Sequence, residues 1–445
     1  FPGVKLLDTD KFSLTIAADR LPYFYELAYV AYGPSPLHVW GQGVEIGEDG
    51  SSLTGDVAAA ANYVATVERF APTIASGPFK FVSYQDNSVV VVNNEEYAGD
   101  WRGHKGKLES VIVRVVNQDL SVDLVISGDI DISAGEIEGA KIEKAQASPQ
   151  ADTVSYLRNG YGFISYSADF GPTADPLVRR AYAFLIDRQE FLDNILEGYG
   201  AMVNSEYGLA QWMYVEKGAE LEAQLFNYTF NPDAANDLLD QTEWKFEADG
   251  VTPFDRAKAA TQDNYFRHNA DGERLVHKHL GSTETLGSIG GVIRDEWPKG
   301  MKLAGVEFIF DYIDFATMLN SYYVLDKENR EYHSYNLAVT FSAFYDPYYS
   351  YHSDFYGDYY YNANGINDPV IDRTTKAMRE LDPSQREEFL EYWMEFQVRW
   401  NELMPKIPLY SNEYFDVFNV RVEGLQTTPF WSMGQAMIDV SVKGE

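Results

Sequence analysis

Hydrophobic and polar positions alternate from the start of the chain. Val4-Lys5-Leu6-Leu7 and then Phe12-Ser13-Leu14-Thr15-Ile16 predict that it opens inside a sheet. GPFKFVSYQDNSVVVV, residues 77–92, predicts two strands around the polar turn Gln85-Asp86-Asn87, and Leu108 to Val116 predicts another. Val122 to Ile132 runs into SGDIDIS, read as the edge of a first lobe. From Asn159 to Tyr166 aromatic and small residues alternate, the pattern of a strand. The period then changes. Asp175 as cap and Pro176 in the first turn open a helix with Leu177, Val178, Ala181 and Leu185 on one face. Asp187 to Leu196 continues it or starts a second helix, and Gly198 stops it. Asn231-Pro232-Asp233 opens another helix through Leu238 and Leu239.

Residues 248–288 are polar and Gly-rich, with a hairpin expected about Asn269-Ala270-Asp271-Gly272 and His277-Lys278-His279 on its solvated arm. Val306 to Phe310 predicts a strand, Asp314 to Leu319 the start of a helix, and Tyr335 to Thr340 a buried strand. Asp368-Pro369 caps a helix carrying Val370, Ile371, Met378 and Leu381. Ser384 to Glu387 reads as a capping box ahead of Phe389, Trp393, Phe396 and Trp400, a row at helical spacing assigned to the core. Pro405 and Pro408 end that helix before a strand from Leu409 to Val420.

One segment breaks the pattern. In Ala343 to Gly365, eight of 23 residues are tyrosine. A buried phenol needs a hydrogen-bond partner, so a cluster of them suits a surface that is apolar and adaptable together: a ligand cleft or an interface. The plainer alternative is an aromatic-rich padding loop. The segment leaves the C-terminal end of the Tyr335 to Thr340 strand, where α/β sheets tend to bind ligands.

At 445 residues the chain is too long for one ordinary core and predicts two or more lobes. Hydrophobic residues at 45% and aromatics at 15% supply a large interior. With 68 acidic against 35 basic residues the net charge is −33, which argues against nucleic acid or an anionic membrane surface as partner. The absence of cysteine excludes disulfides, zinc–thiolate sites, iron–sulfur ligation and thiol nucleophiles. No apolar run approaches the roughly 20 residues of a membrane helix. The N-terminal residues lack the basic and apolar regions of a signal peptide, and we expect the chain to be the remainder of something longer.

Catalytic signatures are sparse. His277 and His279 share a strand face but have no identifiable third ligand, His104 reads as loop, and His333 and His352 flank the tyrosine segment in reach of a ligand. Gly-x-Ser-x-Gly is missing, and Gly287 to Gly291 lacks both the following Lys-Ser/Thr and the preceding strand of a phosphate loop. Asp346, Asp354 and Asp358 sit among aromatics, which keeps a carboxylate-dependent glycoside hydrolase as a remote alternative. No cofactor and no metal is expected.

Strung together, several stretches resemble one family, the family 5 extracytoplasmic solute-binding proteins of ABC importers. SGPFKFVSYQDNSVVVVNNEEYAGDWRGHKGKLESVIVRVV is similar to the family's Gly-Pro-Tyr hairpin and the turn after it, here Asn94, Tyr97, Gly99 and Trp101. SGDIDIS matches its Ser-Gly-Glu-Ile-Asp segment. DPLVRRAYAFLIDRQEFLDNILEGYGAMVNS keeps Arg179, Ala181, Ala183, Asp187, Arg188, Gly198 and Gly200 in register with the family's helix, and the tail from Asn362 to Tyr410 carries Pro-x-x-Pro-Leu-Tyr.

The resemblance implies an α/β, two-lobed periplasmic-binding-protein-like fold of the type II, large peptide-binding class, with lobe one incomplete. Lobe I is expected over 1–155, completed by 412–445, lobe II over 156–411, and a hinge near 155–160 and 410–415. It further implies a non-enzymatic receptor that holds an extended oligopeptide in an aromatic-lined interlobe cleft and delivers it to membrane permeases. Such a receptor is extracytoplasmic, periplasmic or lipid-anchored as a lipoprotein, and is expected as a monomer. The expected ligand-binding residues are Tyr161, Phe163, Ser165, Phe315, Ala343, Phe344, Tyr345, Asp346 and Tyr410. Two departures matter. The family carries a further N-terminal region that is absent here. In addition, Phe344 or Tyr345 stands where members that grip a peptide's amino group place an Asp, and Asp346 matches the later Asp-Pro. The missing Asp favours, as alternative, an oligosaccharide receptor of the same fold.

Overall fold

The strand of alternating aromatic and small residues forms at Gly160–Tyr166, and all seven residues are buried in the computed structural model, which describes residues 3–323 and 327–444. By its contacts the chain divides into two units. One comprises the chain through Glu136 with Lys141–Tyr156 and the stretch from Phe415 onward; the other comprises Ile137–Ala140 and Leu157–Tyr414.

The larger unit is built on that strand. Among the described residues its six strands run in the order Gly200–Met202, Lys406–Asn419, Gly160–Tyr166, Ser334–Thr340, Val276–Ser282, Glu307–Ile313. The first four pair antiparallel and the last two join in parallel. Side chains alternate across a sheet, so the central strand serves two faces. Ile164 and Tyr166 enter the main core with Val178, Tyr182, Trp297 and Leu409, while Tyr161, Phe163 and Ser165 face the other way. Gly162 is small for a reason of contact: a Cβ there would lie 2.8 Å from the ring of Tyr410.

Capping residues start the helices where the sequence places them. Asp175 accepts from the Leu177 amide ahead of Pro176–Ala183, Asn231 from Ala234 ahead of Pro232–Leu239, and Asp368 from Val370 and Ile371 ahead of Pro369–Arg379. Helix Arg386–Leu403 buries Phe389, Trp393, Phe396 and Trp400, as expected of a core row. Its expected capping box does not form. Ser384 spends both its amide and its hydroxyl on Asp382 Oδ1, at 2.9 and 2.5 Å, and the cap position falls to Gln385.

The solvated arm for His277 to His279 is also corrected. A short bridge between His268 and Arg274 closes the turn at Asn269 to Gly272, but the histidines lie beyond it, inside Val276–Ser282. That strand is sandwiched in the parallel part of the sheet, and both histidines are fully buried. Polar residues at strand positions 277 to 279 read as solvated because nothing local reveals that Trp297, Phe308 and Phe310 cover them. The same strand precedes Gly287 to Gly291, contrary to expectation, and helix Ile289–Leu303 follows; the Lys-Ser/Thr of a phosphate loop is still missing.

In the smaller unit, Val4–Asp8 pairs with Lys11–Leu14, and Phe79–Gln85, Ser88–Asn93 and Ser110–Arg114 form a three-stranded meander. Asp86 and Asn87, with φ of 51° and 56°, make its first turn, one residue shorter than the sequence suggested. Helix Ser121–Ser127 stops at Gly128, and Ile132–Glu136 pairs with the last part of Lys406–Asn419. Small cores form around Val122, Val125 and Val417, and around Val422, Met437 and Val440. Among the described residues, no helix is long and apolar enough to cross a membrane.

The buried histidines carry a pH dependence. Ser334 Oγ lies 2.8 Å from His277 Nε2 and 2.7 Å from His279 Nδ1, and His333 Nδ1 accepts the Lys278 amide at 2.9 Å. Burial pulls the His277 pKa well down, that of His279 to about 3, and that of His333 to about 4, the last lowered further by the charge of Lys278. The unfolded chain then binds protons below about pH 6.5 that the folded chain refuses, so stability is full above that pH and lost as pH falls. Urea unfolding between pH 6.5 and 5, where most carboxylates stay ionised, is expected to lose about 1 kcal/mol per pH unit for each of the three histidines, steepening toward about 1.4 at the acid end. A flat profile over that interval contradicts the assignment.

Candidate functional site

The groove face of the central strand opens into a depression of about 490 Å³ in the larger unit. Phe163 lies at its floor. One wall is the strand Ser334–Thr340 and its continuation, from Leu337 through Ser342. Helix Phe315–Tyr323 and the tyrosine segment add to the lining, the latter through Phe344, Tyr345, Asp346, Pro347, Ser350 and Tyr351. The segment is held in place by its own chemistry. Tyr351 is buried against Phe396 and Trp400 of the tail helix, Tyr345 packs edge-on to Phe341 at 5.3 Å, and Asn362 clamps the Ile366 amide and carbonyl.

Register decides what the strand wall offers. Gly160 to Tyr166 pairs antiparallel with Thr340 to Ser334, and the Phe341 amide donates to the Asn159 carbonyl at 2.6 Å. Residues directly opposite alternate between bonded and non-bonded pairs, so Leu337, Val339 and Phe341 turn their backbone groups toward the central strand. Ala338 and Thr340 turn theirs outward. On that side Val276–Ser282 registers only with Ser334 and Tyr335, and both Ala338 and Thr340 are exposed. A short strand edge with unspent N–H and C=O groups therefore faces the groove.

Beneath it lies a buried ion pair. Lys406 Nζ sits 3.4 Å from both carboxylate oxygens of Glu206, whose carboxylate also accepts the hydroxyl of Tyr161. The ammonium is 4.4 Å from the Phe163 ring centroid and 5.3 Å from that of Tyr351. Gln397 fixes the Glu206 backbone from both sides, accepting its amide at 2.9 Å and donating to its carbonyl at 2.8 Å. Arg188 ties the incoming strand, donating to Pro408 and Val203 carbonyls at 2.9 Å each, and Arg179 holds the Leu403 carbonyl at 2.6 Å. Burial lowers both guanidinium pKa values to about 10, which leaves them charged at neutral pH. Burial likewise pulls the Lys406 pKa down, opposed by Glu206, and pushes that of the Tyr161 phenol up, reinforced by the same carboxylate.

The structure brings Phe163, Phe315, Phe344, Tyr345 and Asp346 together around the groove. Asp346 is matched by Arg379 at 3.5 Å. Tyr161 lies under the floor, bonded to Glu206. Ser165 is fully buried, its hydroxyl 2.8 Å from Tyr322 and from Asn364 Nδ2. Ala343 is exposed beside the groove without lining it. Tyr410 belongs to the core on the sheet's opposite face, against Gly162 and Phe191. His333 and His352 are buried outside the lining, and Asp354 accepts the Tyr348 hydroxyl away from it. Among the described residues no cluster is suited to hold a metal. Sequence reasoning missed Glu206, Gln397 and Lys406. Lys406 alone left a trace, as the single cation in the apolar run Ile407-Pro408-Leu409-Tyr410 and its approach; Glu206 left none.

The profile of the bacterial extracellular solute-binding proteins, family 5 middle region, matches residues 2–362. Di/tripeptide-binding protein 1 of Pseudomonas aeruginosa is 25% identical over 169 residues, 37% of this chain and 29% of that protein. Oligopeptide-binding protein AppA of Bacillus subtilis is 22% identical over 187 residues, 42% of this chain and 33% of that protein. The matched stretches thus span a third or less of these curated relatives. The structure of AppA from Bacillus subtilis in complex with a nonapeptide superposes with a TM-score of 0.74 at 16% identity, covering 99% of this chain and 78% of the other. That likeness shows the fold, the α/β two-lobed architecture of periplasmic binding proteins.

The ion pair makes a stability prediction. Removing one partner of a buried pair strands the other, at about 3–5 kcal/mol. Glu206→Ala is expected to lower the urea-unfolding free energy by that amount, and the double variant Glu206→Leu/Lys406→Met to recover most of it. A double variant as unstable as the sum of its single variants contradicts the coupling.

Proposed function

Because this chain belongs to the bacterial extracellular solute-binding proteins of family 5, we propose that it captures an oligopeptide in the groove of its larger unit and delivers it to the permeases of an ABC importer. The observation that carries the reading is the outward backbone edge of Ala338 and Thr340. An extended peptide repeats N–H and C=O groups at about 3.3 Å per residue and adds to such an edge as a further strand.

Two outward residues present four backbone groups. At a net gain of about 0.5–1.5 kcal/mol per hydrogen bond they supply roughly 2–6 kcal/mol, independent of peptide sequence. Micromolar binding needs about 8 kcal/mol. The remainder has to come from side chains on the aromatic walls, where phenols adapt to varied shapes. An oligosaccharide stacks on the same rings but has no main chain at strand spacing, so the edge speaks against that alternative. No catalytic step belongs to this reading. Residence outside the cytoplasmic membrane, periplasmic or lipid-anchored, and action as a monomer complete it, on the support of family membership alone.

Isothermal titration with a random oligopeptide pool is expected to give saturable heat, and an oligosaccharide pool none. Thr340→Pro removes one outward N–H without touching the ladder to the central strand. We expect it to weaken peptide binding roughly three- to tenfold with the melting temperature nearly unchanged. Absence of peptide binding, or a Thr340→Pro protein that binds as the parent does, contradicts the reading.

A further inference from the structure

Among the described residues, three charged side chains line the groove: Glu206, Asp346 and Lys406. Each already faces an opposite charge of this chain. Glu206 and Lys406 face each other at 3.4 Å, and Asp346 faces Arg379 at 3.5 Å. These four side chains are 5% to 16% exposed, so water screens them little. Their sum is zero.

We propose that the groove selects an uncharged stretch of extended peptide, either the interior of a longer chain or a segment with blocked ends, and excludes a free terminus. The inference rests on the groove being a peptide site. An incoming ammonium that approaches Glu206 meets Lys406 beside it, and one that approaches Asp346 meets Arg379. A terminal carboxylate that approaches Lys406 meets Glu206 in turn. In each case the ligand's charge leaves water for a place where attraction and repulsion nearly cancel, and its desolvation goes uncompensated. A neutral main chain has no such difficulty. It bonds to the edge at Ala338 and Thr340 and lays its side chains against Phe163, Phe341, Phe344 and Tyr345. The pair Glu206–Lys406 thereby sets specificity by self-neutralisation, and removing the cation turns the same carboxylate into an amine clamp.

The test is calorimetric, with two forms of one tripeptide, N-acetyl-Leu-Tyr-Leu-amide and the same sequence with free ends. The parent protein is expected to bind the blocked form at least tenfold tighter. Equal binding, or tighter binding of the free-ended form, overturns the inference. Failure of both forms, and of the random oligopeptide pool, overturns the peptide reading itself and this inference with it. Lys406→Met is expected to shift the preference toward the free amine by tenfold or more, measured with Leu-Tyr-Leu-amide against its acetylated form. Where that variant fails to fold, Arg379→Met removes the cation 3.5 Å from Asp346 and is expected to act in the same direction. A folded variant whose preference stays at the parent value overturns the role of the pair.

Discussion

The strand Gly160–Tyr166 is flanked on both edges and covered on both faces, and the rest of the larger unit follows from that confinement. With every residue buried, its register is fixed, because a slip of one residue would send Tyr161, Phe163 and Ser165 into the core and Ile164 out of it. The fixed register sets the parity of its neighbour Ser334–Thr340. Parity in turn dictates which backbone groups are spent inside the sheet and which are left facing the groove. The site is therefore a consequence of pairing as much as of side chains. Ala338 and Thr340 are unremarkable in sequence, and their importance lies in the direction of their amides.

Charge is handled by the same economy of internal partners. Arg179 and Arg188, buried and charged, spend their guanidinium groups on backbone carbonyls around the entry to the Lys406–Asn419 strand. That entry places Lys406 opposite Glu206, whose backbone is clamped by Gln397. A chain with net charge −33 would be expected to offer any cationic group an open carboxylate. At the groove it does not, since the carboxylates there are answered from within. On the proposed peptide reading, selectivity falls to the aromatic walls, through shape and hydroxyl placement.

Much of this was legible in the residue pattern, and the failures have physical causes. Local signals worked where the deciding interaction is local: the Asp and Asn caps with proline in the first turn, and the apolar row on the tail helix. The tyrosine segment stood out by composition, and Phe344, Tyr345 and Asp346 do line the groove. His277 and His279 misled because their burial is imposed by Trp297, Phe308 and Phe310, which no short window contains. Ser384 misled because Asp382 competed for the same groups. Glu206 and Lys406 are 200 residues apart. No spacing rule joins them; only the fold does. Tyr410 sat in a motif of the right family, but side-chain alternation turned it to the core face.

The most direct test of the central claim is residue-resolved amide hydrogen exchange of the protein with and without a saturating oligopeptide. The amides of Val339 and Phe341, already bonded within the sheet, are expected to exchange slowly in both states, while those of Ala338 and Thr340 are fast in the free protein and slow at least tenfold on binding. Protection that appears elsewhere, with Ala338 and Thr340 exchanging as fast in the complex as in the free chain, would contradict the account.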